Sequence, residues 1–352
     1  MNTLINKYRE WIIGVAGLLL VGIFVFFDVL YWVPWTLVNQ EQKKVRLNIQ
    51  PGSSLGTISD SLYQRNLIPS RNSFEFAVRL RGLETELQAG VFSVERPASY
   101  RDIIYSLTHS APEAVTVTIV EGLQSREIAR ILGKELLFTP EEFKEVVADS
   151  SLAASLGVPG PTLEGFLFPE TYKFFVNESA ESIARKMVNH FHEVVPDTFA
   201  QRAKQYGWTM WEAVTMASII EGEAVHDEER STISSVYHNR LQRGMRLQAD
   251  PTIQFIIEDG PRRLWAKDLE IQSPYNTYRN SGLPPGPINN PGLGSVRAAL
   301  YPADTEYLYF VARGDGYHTF TRTNREHINA KRRLQRLRRQ VSMQQKDGDN
   351  SI

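Results

Sequence analysis

The residue best placed for proton chemistry in this chain is a glutamate near the end of an apolar helical segment. The stretch from Met216 to Thr252, MASIIEGEAVHDEERSTISSVYHNRLQRGMRLQADPT, contains it as Glu221. At about 3.6 residues per turn, Val214, Ala217 and Ser218 share its face, Met216 and Ile219 cover the opposite side, and Ala213 and Ile220 fill the flank. A helix that is apolar all round is a buried helix. Desolvation disfavours a charged carboxylate, so the pattern predicts a raised pKa and a carboxyl group still protonated near neutral pH, the condition of a general acid. Pattern alone leaves a plainer alternative. Glu221 would then be the first solvated residue after a core helix, joined by Glu223, Asp227, Glu228 and Glu229 in a charged loop.

Other constellations carry less. Residues two apart on a helix point about 200° away from each other, so Glu221 and Glu223 cannot face one substrate as a pair, and Asp250 remains a distant second carboxylate. Glu223-Ala-Val-His226 has the spacing of di-iron bundles, but those need a second copy, and the sequence has none. No metal and no cofactor is therefore expected. The chain lacks cysteine, which excludes disulfides and thiolate catalysis, and it has no Gly-x-Ser-x-Gly elbow for a serine triad. With 39 basic and 40 acidic residues, its net charge of -1 gives no global reason to expect nucleic acid.

The chain is long enough, at 352 residues, for two or three domains to position these groups. Residues 1–10 read as a short cytoplasmic leader carrying Lys7 and Arg9, and 11–33 as a transmembrane helix. Ile12 to Phe27 is a run of sixteen residues with no charged or polar side chain, flanked by Trp11 and by Tyr31, Trp32 and Trp35. The 22 residues from Trp11 to Trp32, at about 1.5 Å each, cross a hydrocarbon core of roughly 30 Å. Asp28 lies near the outer end, and no small-residue cleavage site follows, which favours a retained anchor over a removed signal peptide. Lys43, Lys44 and Arg46 on the far side weaken the charge asymmetry, but they belong to a long translocated region.

Sliding the chain on itself by 70 residues reveals a repeat: VRLNIQPGSSLGTISDSL from Val45 overlays VTVTIVEGLQSREIARIL from Val115. Gly52 meets Gly122, Ile58 meets Ile128, and Leu62 meets Leu132. Each copy reads as strand, turn and helix, then a second helix (70–81 and 139–149), a short strand around Gly90 or Gly165, and a third helix (99–107 and 179–191). Two related βααβα modules, 45–110 and 115–192, thus precede a catalytic domain over 193–330 and a basic helix with a polar tail over 331–352. The expected fold class is α+β. LEGFLFPETY from Leu163 reads as strand-like and carries Glu164 and Glu170. GLPPGPINNPG from Gly282 reads as a rigid loop shaping a cleft wall, with φ preset at its prolines.

SIIEGEA, the NRL of Asn239 to Leu241, GMRLQADPT from Gly244, SPYNTY from Ser273, GLPPGPINNPG and YFVARGDGYHTFTRTNREH together resemble the YceG-like (MltG-type) endolytic murein transglycosylases, over roughly Val45 to Ala330. The first repeat also resembles a LysM module, a fold that grasps peptidoglycan glycan. Gly222 departs from the family, which ordinarily has a larger, often charged residue there.

The resemblance implies that Glu221 is the catalytic acid, protonating the oxygen between N-acetylmuramic acid and N-acetylglucosamine. Its carboxylate would then take the proton of the muramic acid 6-hydroxyl, whose intramolecular attack leaves a 1,6-anhydro end without a second carboxylate. Glu164, Gln248, Asp250, Tyr275, Asn276 and Tyr278 are candidates for holding the sugars, although Asn and Asp-Pro also favour turns. The resemblance further implies work on nascent glycan strands beside penicillin-binding synthases, outside the bacterial inner membrane. A silent glycan-binding scaffold and a hydrolytic muramidase are the alternatives.

Overall fold

The computed structural model describes residues 2–34, 44–258 and 260–349, so Trp35 and Lys43 of the expected membrane flank lie outside the described residues. The chain divides into two compact units. One comprises Met1–Thr116, Glu135–Leu137 and Lys173–Glu178; the other comprises Val117–Lys134, Phe138–Tyr172 and Ser179–Ile352. This division falls inside the second module instead of at its start.

The first unit begins with α1 (Asn2–Trp32), which takes the expected leader into the helix. Among the described residues no helix is long and apolar enough to cross a membrane. The unbroken run of described α1 side chains, Trp11 to Phe26, is sixteen residues long, and Trp11, Leu18 and Phe24 on it are exposed. Beyond it come β1 (Lys44–Ile49), α2 (Leu55–Gln64), α3 (Arg71–Leu80), β2 (Gly90–Glu95) and α4 (Tyr100–His109). This is the expected βααβα order. The strands pair antiparallel with Leu47 opposite Phe92, so alternate residues enter the core. Leu55, Ile58 and Leu62, spaced on one face of α2, close over them with Phe74, Ile103 and Leu107.

The second module contains β3 (Ala114–Thr118), α5 (Ser125–Glu135), α6 (Pro140–Ala148), α7 (Ser150–Ser155), β4 (Thr171–Phe175) and α8 (Ala180–Val194). It has one more helix than the first, because Asp149 ends α6 and caps α7 by accepting from the backbone N–H groups of Ser151 and Leu152. The strand expected around Gly165 is corrected: the strand is β4, and Leu163–Phe166 is a turn. Gly165 sits there at φ +88°, with Pro287 and Val214 packed where a Cβ would stand. Gly52 and Gly122 both have φ +79°, so the two modules share one turn geometry at the glycines that the repeat aligns.

The rest of the second unit holds α9 (Asp197–Gln205), α10 (Met210–Glu223), α11 (Arg230–Gln242), α12 (Asp250–Ile256), α13 (Leu293–Leu300), β5 (Tyr309–Ala312), β6 (His318–Thr321) and α14 (Asn324–Asp349). The last helix takes in most of the expected polar tail. With its two-stranded sheets set among helices, the chain is α+β.

Candidate active site

Thr209 and Glu212 start α10 with a capping box. The Thr209 side chain accepts from the Glu212 N–H, and the Glu212 carboxylate accepts from the Thr209 N–H at 2.7 Å. Every residue from Ala213 to Ile220 is buried, as a helix without a polar face requires. Ser218 ties the helix to the Gly-Pro loop. Its Oγ donates to Thr215 O and accepts from Ile288 N–H at 3.0 Å, while its carbonyl accepts from Asn289 Nδ2 at 2.9 Å. The loop therefore forms a wall along the last turns of α10.

Glu221 is on the last turn, with its side chain only 6% exposed. The niche is not the purely apolar one expected, because each carboxylate oxygen has a donor. Arg230 Nη1 donates to Oε1 at 3.0 Å, and the Gly292 N–H donates to Oε2 at 3.1 Å. Arg230 is itself buried, its Nε donating to Asp227 at 3.0 Å and its Nη1 also to Ser295. Charge-assisted bonds of this kind fix a carboxylate's direction as well as its charge. Glu121 completes the group, its carboxylate 3.6 Å from Arg230 Nη2.

The turn carrying Glu121 also builds the wall beneath. Its Gly122 N–H donates to Asn290 O at 2.9 Å, and a Cβ on Gly122 would stand 3.5 Å from Glu221 Cγ. Asn290 is fully buried: its Oδ1 accepts from the N–H groups of Gly165 and Leu167, and its Nδ2 donates to Leu123 O and Glu164. Glu164 also accepts from Ser125 Oγ at 2.5 Å and from Ser125 N–H. Burial pushes Glu164 up to about 7 despite these donors. Its oxygens are spent on Ser125 and Asn290, which makes it a brace of the wall.

Glu223 lies on the same helix as Glu221 but has different partners, and of the sequence candidates Asp250 and Tyr278 are near it. Tyr237 OH donates to Glu223 at 2.9 Å, and Tyr278 OH donates to Asp250 at 2.5 Å. Burial, followed by the nearby Asp250 charge, pushes Glu223 up to about 7. Asp250 and Pro251 begin α12. Gln248 is exposed and held at φ +49° while its N–H donates to Thr277 O, a left-handed conformation that a non-glycine residue keeps only when its surroundings impose it. Tyr275 packs on Phe255, with ring centroids 4.8 Å apart. Asn276 is fully buried, with its Nδ2 bonded to Leu269 O and Ile271 O and its Oδ1 to the Tyr278 N–H. Its amide organises the loop.

Sequence reasoning missed Arg230, Glu121, Ser125 and Asn290. Arg230 shares a helical face with Ile233, Ser234 and Tyr237, all buried, so its spacing already placed it inside, where an arginine needs carboxylates. Its position after three acidic residues made it look like part of a solvated charge run.

The sequence pattern of the YceG-like family matches residues 47–333. An endolytic murein transglycosylase of Bacillus subtilis is 36% identical over 306 residues, which cover 82% of this chain and 84% of that protein. One from Streptococcus pneumoniae is 29% identical over 335 residues, covering 82% of this chain and 59% of that longer protein. A crystal structure of a YceG-like protein from Listeria monocytogenes matches with a TM-score of 0.56 at 32% identity, over 82% of this chain and 99% of that one.

Proposed function

The chain belongs to the YceG-like family, and on that premise we propose that it is an endolytic murein transglycosylase in which Glu221 serves as acid and then as base. The observation carrying this reading is a shielded carboxylate, 6% exposed, gripped by Arg230 and the Gly292 N–H. Once Glu221 has given its proton to the glycosidic oxygen, these donors stabilise the carboxylate that forms. The same carboxylate then accepts the 6-hydroxyl proton as that hydroxyl closes the 1,6-anhydro ring. The two transfers restore the starting state.

No second carboxylate is needed as nucleophile, and Glu223 has Tyr237 as its partner instead of Glu221's donors. Gln248, Asp250 and Tyr278 are the sequence candidates that keep polar groups available to a sugar, whereas Asn276 and Glu164 act through the walls they hold. The substrate is the nascent glycan strand, cut internally between N-acetylmuramic acid and N-acetylglucosamine, which limits its length. We further propose that the first module binds glycan in the manner of LysM, and that the enzyme works beside penicillin-binding synthases. In this reading α1 anchors it in the bacterial inner membrane with the catalytic part outside. Exposed apolar side chains along α1, which water would penalise, support the anchor.

Incubating the full-length chain in detergent micelles with uncrosslinked glycan strands tests the reaction. Mass spectrometry should find anhydro-muramic ends and shortened strands. Reducing ends would instead identify a muramidase, and intact strands a scaffold.

A further inference from the structure

The turn opening the second module carries a carboxylate where the first carries proline. Gly52 and Gly122 have the same φ of +79°, and the residues before them are Pro51 and Glu121. Unlike the shielded Glu221, Glu121 keeps half of its side chain exposed. Both approach one guanidinium, Glu221 at 3.0 Å from Nη1 and Glu121 at 3.6 Å from Nη2 of Arg230. They also meet at one residue. The Gly292 N–H is the second donor to Glu221, and a Cβ on Gly292 would come within 1.7 Å of Glu121 Oε1.

The groups facing Glu121 come from several elements: Glu221 of α10, Asp227 in the turn that follows it, Arg230 of α11 and Gly292 before α13. Three carboxylates thus surround one cation, which cannot neutralise them all. Burial first, and then the Glu221 charge, push Glu121 upward against the pull of Arg230.

Resting on the reading of Glu221 as acid and base, we propose that Glu121 is a positioning residue that exchanges Arg230 with Glu221 during the catalytic cycle. While Glu221 carries the proton, Arg230 closes the 3.6 Å gap and pairs with Glu121. When the proton has passed to the glycosidic oxygen, which leaves with it as the C–O bond breaks, Arg230 returns to the new Glu221 carboxylate. The 6-hydroxyl oxygen forms the anhydro bond, and its proton goes back to Glu221. Only the guanidinium changes partner, so no co-reactant is required.

The test is the pH dependence of kcat/KM for the full-length enzyme in detergent micelles, with anhydro ends as the readout. Glu121→Gln removes a like charge from the centre, so the active, protonated state is lost at lower pH. The alkaline limb is expected to move by about one unit toward acid, with KM unchanged. Glu121→Ser, which removes the same charge without an amide, should move it equally, and Glu121→Asp should leave it in the wild-type position. A Glu121→Gln profile that superimposes on wild type, or one lowered evenly at every pH, overturns the inference. A wild type that makes no anhydro ends overturns the functional reading and this one with it. An active wild type whose limb these changes leave in place overturns this one alone.

Discussion

In the proposed reaction two residues decide the chemistry, and they differ in how readily the sequence discloses them. Glu221 stands out because Ala213 to Ile220 offers no polar face, so a carboxyl at its end is conspicuous. Arg230 is hidden nine positions on, behind Asp227, Glu228 and Glu229. Their bond at 3.0 Å depends on where α11 docks, and no local pattern contains that. Arg230→Lys keeps a charge but loses the fork that lets one side chain bond Glu221, Asp227 and Ser295 together. It should lower kcat by about a hundredfold with little change in KM, read from initial rates of anhydro-end formation. An unaltered kcat would show that Arg230 does not position Glu221. Asn276 marks a limit of the same reasoning, since SPYNTY resembles a polar binding motif while its amide serves carbonyls of its own loop.

At the scale of elements, the site depends on loops pressed against the end of α10. Gly222 is fitted to its neighbour: a Cβ there would stand 2.6 Å from Pro251 Cβ, at the start of α12. Gly222→Ala should cost about 1–3 kcal/mol through this overpacking, seen as a melting temperature several degrees lower. A melting temperature equal to wild type would mean that the Pro251 ring yields freely. The repeat was legible because its glycine turns and helix spacings recur in sequence, and both glycines take the same φ. The turn at Gly165 was not, because LEGFLFPETY is apolar and aromatic-rich like a strand, while its turn is held by Gly165 at positive φ and by the Asn290 side chain 125 positions away. The NRL motif proves to be bracing. Asn239 bonds the carbonyls of Thr305 and Tyr307, and Arg240 those of Leu308 and Leu247.

For the whole molecule, the balance of 39 basic and 40 acidic residues gives no lead to location, and the proposed anchoring rests on α1. Its exposed Trp11, Leu18, Phe24 and Trp32 present apolar surface along a helix of 31 residues. Surface of that extent calls for lipid or a protein partner. The full-length chain should sediment with membranes and resist an alkaline wash, whereas a chain beginning at Lys44 should stay in the supernatant. Recovery of the full-length chain as a soluble species would refute the anchor. Hydropathy marks this segment in the sequence, although no described helix is long and apolar enough to cross a membrane; the division into compact units is not legible there, since Glu135–Leu137 and Lys173–Glu178 join the first unit from within the second module.

The central claim concerns one carboxyl group, and an isosteric change reaches it most directly. Glu221→Gln keeps the size of the side chain but can neither give nor take the proton, so the variant should release no anhydro-muramic ends from glycan strands under conditions where wild type shortens them. Its circular dichroism and melting curve should remain close to wild type. Release of those ends by Glu221→Gln at a rate within tenfold of wild type, on the order of 1.4 kcal/mol in barrier, would contradict the account.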